Sequence, residues 1–301
     1  MRILFVILAL VLILSSAGCS DFSANLVGSS GQARMLAFGD LMLGRDVARL
    51  MELNGEDYPF QKIFGSDGID AQDFDLVMAN LEGPLLKAKK RRDLTPIFAF
   101  DPDLVPALLK KYGFNLVSLA NNHTWDHSAQ GWESTLESLH RFGISTVGNP
   151  MNMFEYDVYE TQLNDVRLGF IGINEVNFPV DWEEAKRKVK ELKERNDFVI
   201  LVIHWGDEYK TIANFKQRDK GHGMVDAGVD LIIGHHPHVV QDHEVFLGKN
   251  IYYSLGNFVF DQYWSKAVQS GLALDILFQK GGDILVQEIP FRIQRGQPSL
   301  Q

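Results

Sequence analysis

Five short apolar runs in this chain each end on an acid, an amide or an imidazole, which dictates buried strands with chemistry at their ends. The clearest is Val229-Asp230-Leu231-Ile232-Ile233, which Gly234 stops and which delivers His235-His236-Pro237-His238. A run this short, bounded by glycine and rich in Val, Ile and Leu, reads as a buried strand. The run 198–203 likewise leads into His204-Trp205-Gly206, and 116–120 into Asn121-Asn122-His123. The run 35–38 ends at Gly39-Asp40, and 74–79 at Asn80-Leu81-Glu82. One histidine after a strand is usually an ordinary hydrogen-bonded surface residue. Five donor-bearing ends in one chain point to a site, because most strands end in ordinary turn residues.

Helical signals alternate with these runs. Asp101-Pro102 opens a helix that carries Leu104, Leu108 and Leu109 and stops at Gly113. Residues 131–142 place Trp132, Leu136 and Leu139 on one face. Asp181 and Glu184 make a capping pair for a helix whose Ala185, Val189 and Leu192 share a face up to Arg195. Residues 215–227 form a fourth helix. Residues 158–163 and 166–173, joined by Asn164-Asp165, read as a hairpin. Further strands fall at 252–255 and in a closing pair, 272–278 and 284–289, linked through Gly281-Gly282. The expected fold is an α/β sandwich with sheets in the middle, helices outside and the site at the strand C-terminal ends.

The first residues follow a different logic. Met1-Arg2, an apolar run over 3–14 and Ser15-Ser16-Ala17-Gly18 precede Cys19, the only cysteine of the chain. A charged start, a short apolar core and small residues before a cleavage point make an export signal over 1–18, too short to span a bilayer comfortably. A lone cysteine after small residues resembles a bacterial lipoprotein signal. That resemblance implies a lipidated Cys19 and a domain tethered to the bacterial membrane outside the cytoplasm. Ser16 stands where such signals usually carry Leu, and a plain cleaved signal or an uncleaved anchor are the alternatives. Residues 19–33, rich in Ser, Gly and Ala, read as a flexible tether, and 34–301 as one folded domain. One cysteine leaves no disulfide and no structural thiolate site. A net charge of −10 argues against a general nucleic-acid binder. The single basic run, Lys87-Ala88-Lys89-Lys90-Arg91-Arg92, is either a solvated loop or a contact for a polyanion or anionic headgroups.

Asp40, Glu82, Asn122, His204, His236 and His238 mix oxygen with imidazole nitrogen. Such donors, without thiolate, suit one or two ions of Mn, Zn or Fe better than Ca or Mg alone. Two ions sharing a carboxylate or a water would acidify that water. His123, beside Asn122, is placed to protonate a leaving group. His236 and His238 are two residues apart and reach one metal together. His235 and His236 are adjacent and do not both do so from an extended backbone, so the choice between them stays open. Asp126 and Asp261 are candidates for orienting an imidazole, or ordinary exposed acids. Trp125, Trp205, Tyr209, Phe258 and Trp264 are candidate pocket walls or core packing. Arg45 is a candidate for forking onto a carboxylate or phosphate.

Six ordered motifs then carry a family resemblance. They are Gly39-Asp40-Leu41-Met42-Leu43-Gly44-Arg45, Asn80-Leu81-Glu82-Gly83-Pro84-Leu85, Leu119 to Asp126, His204-Trp205-Gly206-Asp207-Glu208-Tyr209, Gly234 to Gln241, and Tyr253 to Gln262. Together they resemble the CapA family of bacterial capsule proteins, within the calcineurin-like metallophosphoesterase superfamily. The resemblance covers nearly all of the chain after the tether. It implies a metallophosphoesterase-like sandwich and a role in synthesis or export of poly-γ-glutamate, with an anionic polymer or small anionic substrate and membrane-bound synthesis partners. It matches Asp40 to the first metal-binding acid, Asn122-His123 to an Asn-His pair, His204 to a lone metal histidine, and His236 with His238 to a closing His-x-His. Two positions depart from the wider phosphoesterase pattern. Met42 stands where a ligand histidine is usual, and Asn80-Leu81-Glu82 replaces Gly-Asp followed by Asn. Phosphoesterase activity is therefore not inherited with the fold. Three functions follow as expectations: an envelope-tethered metal-dependent hydrolase or transferase, a secreted phosphoesterase, and a non-catalytic assembly factor.

Overall fold

Strands buried on both faces must be apolar throughout, and the sequence supplies such runs to the centres of two sheets. The protein, seen as a computed structural model, is described for residues 30–87, 97–152 and 158–301. The expected signal segment 1–18, Cys19, the expected tether as far as residue 29, and Lys89, Lys90, Arg91 and Arg92 lie outside the described residues. The first half comprises β1 (Gln32–Leu41), α1 (Arg45–Asn54), β2 (Leu76–Leu81), α2 (Leu104–Lys111), β3 (Leu116–Ser118), α3 (Ser128–Arg141) and β4 (Ser145–Val147). A hairpin of β5 (Val158–Leu163) and β6 (Val166–Asn174) follows, turning through Asn164 and Asp165 at positive φ, and leads into α4 (Trp182–Arg195). Then come β7 (Phe198–His204), α5 (Phe215–Ala227), β8 (Leu231–His235), β9 (His243–Phe246), β10 (Lys249–Tyr252) and β11 (Asn257–Val259). The chain closes with β12 (Ser270–Gln279), β13 (Asp283–Gln294) and β14 (Gln297–Leu300).

One sheet has the order β14-β13-β12-β1-β2-β3-β4, with β11 also paired to β1; the other has the order β5-β6-β7-β8-β10-β9. Strands β1 to β4 run parallel, as do β6, β7, β8 and β10. Side-chain alternation sets the layers. Phe198, Ile200 and Val202 of β7 pack between the sheets with Met35, Ala37 and Ile276. The alternate Val199, Leu201 and Ile203 pack outward against Ala185, Val189 and Leu192 of α4 and Met224 of α5. On the far side, Leu36, Phe38 and Val77 lie under helix residues Val47, Leu109 and Leu139. Helices thus cover both outer faces of two stacked sheets, and the expected sandwich stands.

Several boundaries differ from the sequence reading for local reasons. Strand β1 starts at Gln32, two residues ahead of the expected domain start, because Gln32 and Ala33 pair with Gln279 and Phe278. Helix α3 begins at Ser128 instead of Gly131. The strand read at 252–255 lies at Lys249–Tyr252, because its pairing with β8 ends at Tyr252 opposite Ile233. Residues 253–256 then cross between the sheets. Leu255 N donates to Gly234 O in one sheet, while Leu272 N donates to Leu255 O and Asp40 N to Gly256 O in the other.

That crossing needs bare backbone on both sides. A Cβ on Gly39 would sit 1.9 Å from Gly256 O, and one on Gly234 would sit 2.0 Å from Tyr253 O. Both contacts are with backbone, which cannot swing aside. We predict that Gly39→Ala destabilises the fold by at least ~1–3 kcal/mol, the usual cost of overpacking. Urea unfolding measures this, and an unchanged midpoint would contradict it.

Candidate metal centre

The site lies in the seam between the two sheets, where the C-terminal ends of their parallel strands meet. The first sheet contributes Asp40 from β1 and Glu82 and Asn122 from the loops after β2 and β3. The second contributes His204 from the end of β7 and His235, His236 and His238 from the end of β8 and its loop. The β1–β2 register shifts between Ala37 and Asp40, an irregularity of the kind that re-aims a side chain. Asp40 Oδ1 accepts from Asn80 Nδ2 at 2.9 Å and lies 3.4 Å from His235 Nδ1; its Oδ2 lies 3.2 Å from His238 Nδ1. His238 Nε2 is 3.6 Å from Glu82 Oε1. His204 Nε2 is 2.8 Å from Asn122 Oδ1. All six residues expected as ligands therefore gather at the seam.

Buttressing amides hold this group in place. Asn121 Nδ2 donates to Asn80 Oδ1 and to Leu81 O, and Asn121 Oδ1 accepts from the backbone of His123 and Thr124. Asn257 Oδ1 sits 3.0 Å from His238 Nδ1, which leaves Nε2 as that ring's ligand atom. Asn80, Asn121 and Asn257 were not singled out as functional, although Asn80 and Glu82 share a strand face by their two-residue spacing. Glu208 was also missed; it lies with His236 and His238 so that one ligand atom from each falls within 4.8 Å of the others.

The backbone brings both of the adjacent histidines to the site. His236 has φ 95 and His238 φ 57, left-handed values that a non-glycine residue adopts at a cost. The chain is not extended there, so His235 and His236 both turn inward. Only His236 belongs to a convergent donor set; His235 instead contacts Asp40.

Burial governs the charges. It would by itself raise Asp40, yet polar contacts and positive charge from His235 and His238 hold that carboxyl well below the usual range. Glu82 moves the opposite way, pushed well above its usual value by burial and then by the Asp40 charge. Burial, then His236, lowers His204 far below an ordinary imidazole. Burial, then His238, pushes His236 down to about 4. Burial also disfavours the His238 cation, but Glu82 and Asp40 outweigh it and lift His238 to about 9. Glu82 Oε1, both ring nitrogens of His235 and Nδ1 of His236 are buried with no hydrogen-bond partner among the described residues. Buried polar atoms are rarely left so. Mixed carboxylate and imidazole donors around unpartnered acceptor atoms fit a divalent transition metal.

Around this centre the remaining candidates separate. His123 Nδ1 is 2.9 Å from Asp126 Oδ2, which also accepts from Phe98 N at 2.7 Å, and the His123 ring packs at a tilt against Phe98 with centroids 4.1 Å apart. Asp126 thus orients an imidazole. Asp261 does not: it pairs with Arg45, whose Nε donates to Oδ2 at 3.0 Å and whose guanidinium lies over Phe98. Tyr209 faces His238, with Trp264 edge-on to it, at the rim. Trp205 and Phe258 are core residues, the first bonded to Tyr253 O and the second stacked on Phe38. Trp125 is half-buried. Met42 is fully buried, its sulfur accepting from Gly44 N, and adds no donor.

The family described as "Bacterial capsule synthesis protein PGA_cap" matches residues 34–262. The chain is similar to the PGA biosynthesis protein CapA of Bacillus subtilis, 32% identical over 278 residues that cover 87% of this chain and 72% of the relative. It is 30% identical to the capsule biosynthesis protein CapA of Bacillus anthracis, over 88% of this chain and 68% of the relative. A crystal structure of a hypothetical protein from Thermus thermophilus matches with TM-score 0.56 and 19% identity, covering 87% of this chain and all of the other, and supports the fold alone.

Metal uptake should follow pH through these same groups. Ligation needs a carboxylate and a neutral imidazole, so a proton must leave Glu82 and another His238. His238 stays protonated below about 9 in the metal-free protein. Affinity for Mn2+ should therefore rise with pH up to about 9, by roughly tenfold per pH unit for each proton released. Calorimetric titration in buffers of different ionisation enthalpy counts those protons, and a pH-independent affinity would contradict this account.

Proposed function

This chain belongs to the bacterial capsule synthesis protein family PGA_cap, and on that premise we propose that it is a metal-dependent hydrolase or transferase acting on an anionic envelope polymer, poly-γ-glutamate. The polymer comes from the printed names of its relatives, PGA and capsule biosynthesis proteins. The export signal and Cys19 support a lipid-tethered domain outside the cytoplasm. Among the described residues no helix is long and apolar enough to cross a membrane.

The observation that carries the catalytic reading is the His123–Asp126 pair beside the donor cluster. A divalent ion held by Asp40, Glu82, Asn122, His204, His236 and His238 would supply Lewis-acid activation of a reacting oxygen. The chain's own residues supply the rest. Asp126 accepts a hydrogen bond from Nδ1–H of His123 and orients the ring, so that its doubly protonated form gives the Nε2 proton to the leaving nitrogen or oxygen and is left as the neutral imidazole. Phe98 holds the plane of that ring. Arg45, with 37% of its side chain exposed and one edge held by Asp261, keeps other N–H groups for a substrate carboxylate. Arg45 thereby positions the polymer while His123 acts on it.

We predict that His123→Ala keeps its fold and metal but loses about 100- to 10,000-fold in turnover, the usual contribution of a positioned proton donor. A hydrolysis screen over γ-glutamyl polymers and phosphoesters measures the loss, with polymer output in cells as the second readout. Normal output from a folded, metal-loaded His123→Ala protein would favour an assembly factor instead.

A further inference from the structure

The loop between β7 and α5 turns large apolar side chains into solvent. Tyr209, Ile212 and Phe215 are 43%, 65% and 77% exposed, and Trp264, edge-on to Tyr209, is 64% exposed. The loop is nevertheless tied down along its length. Tyr209 N donates to Pro237 O, Gln241 Nε2 to Lys210 O, Asp242 N to Thr211 O and Ala213 N to Asp242 Oδ1. A capping box of Asn214 and Gln217 fixes the start of α5. The backbone is thus satisfied while the apolar side chains stay uncovered. Single exposed apolar residues are ordinary, but a fixed group of them beside a site marks a contact surface.

Charge identifies what that surface meets. Lys210, Lys216 and Lys266 are interleaved with these residues, exposed, and without an ion-pair partner among the described residues. Elsewhere in this chain of net charge −10, Lys111, Lys193, Lys220 and Lys249 are all ion-paired. The two acids of the loop are engaged otherwise: Asp207 Oδ2 accepts from Asn214 Nδ2, and Glu208 lies with His236 and His238. Aromatic and aliphatic side chains flanked by free lysines match the headgroup boundary of an anionic bilayer, where rings and chains enter the acyl edge and ammonium groups stay among the phosphates. A soluble polyanion would leave Ile212 and Phe215 unmatched.

We propose that Tyr209, Ile212, Phe215 and Trp264, with these three lysines, dock this face of the domain on a bilayer that contains anionic lipid. The proposal deepens the membrane-tethered reading by adding a second contact, remote from Cys19. The expected tether joins the domain at the N-terminal end of β1, away from the site. From Cys19 to Gln32 the chain reaches about 45 Å at most, whereas the ten residues of β1 span about 33 Å. A lipid on Cys19 and this patch can therefore share one bilayer. Each lysine held at an anionic surface adds roughly fivefold to binding, so three favour an anionic over a neutral bilayer on the order of 100-fold. Tyr209 faces His238, so docking holds the mouth of the seam against the membrane, and a substrate arrives along that surface instead of from bulk solution.

The test is tryptophan quenching by lipids with brominated acyl chains, on full-length protein reconstituted into vesicles of equal parts phosphatidylcholine and phosphatidylglycerol, or of phosphatidylcholine alone. Wild type should be quenched in the anionic vesicles, and Trp264→Phe should lose that quenching. A double variant, Ile212→Ser with Phe215→Ser, should lose most of it with unchanged thermal unfolding. Neutral vesicles or high salt should weaken it in wild type. Equal quenching of wild type and Trp264→Phe would overturn the proposal. So would Trp264 emission that responds to soluble poly-γ-glutamate and not to brominated lipid, which would assign the patch to the polymer. Self-association that the double variant abolishes, with no quenching in wild type, would assign it to a second copy and overturn the proposal as well. Protein that floats with the vesicles while Trp264 stays unquenched would overturn the docking surface and leave the tether standing. Quenching of Trp264 in protein purified from bacterial membranes with no fatty acid on Cys19 would uphold the docking surface and overturn the lipid tether.

Discussion

Asp40 and Glu82 are carboxylates removed from water, within a few ångströms of each other and ringed by imidazoles from the opposite sheet. Taking a charge out of water costs several kcal/mol per ion even after relaxation, unless an opposite charge and hydrogen bonds offset it. Here the offset is partial. Asp40 is matched by His235 and His238, while Glu82 is driven towards its protonated form and keeps one oxygen without a partner among the described residues. A cluster that leaves buried acceptors unmatched is a poor way to stabilise a protein. It is a good way to hold a divalent cation, which satisfies the carboxylates and neutral imidazoles at once.

The sandwich exists in a form that makes this possible. Each sheet alone could bring only half of the donors, acids and amides from one and histidines from the other. The crossing at 253–256 fastens the two sheets together beside the donors, through backbone contacts so close that Gly39 and Gly234 admit no side chain. The left-handed backbone of His236 and His238 lies in the same place, held there by the surrounding packing. His123 lies one step outward, already oriented by Asp126 and Phe98. The arrangement grades from buried donors at the seam to His123 and then to Arg45, Tyr209 and Trp264 at the rim.

Much of this was legible in the chain. The buried runs at 198–203 and 229–233 sit in adjacent parallel strands, and the ligand candidates at their ends do meet. What was not legible depended on local departures from regular geometry. The positive φ at His236 cancels the assumption of an extended backbone that set His235 and His236 apart. The register shift before Asp40 leaves no mark in composition. Glu208 follows the strand end by four residues on an exposed loop, where an acid is ordinary. Trp205 and Phe258 sit beside site residues in sequence yet alternate into the core. The capping box of Asn214 and Gln217 on α5 was readable by its spacing and passed unnoticed.

The central claim is that the seam residues bind a metal directly. X-ray absorption at the metal edge, on protein loaded with Zn2+, tests it with no reliance on substrate or reaction. The account predicts nitrogen and oxygen neighbours at about 2.0–2.2 Å, with the multiple-scattering pattern of imidazole that weakens in His204→Ala and His238→Ala. A shell of oxygen alone, without imidazole scattering and unchanged in both variants, would contradict it.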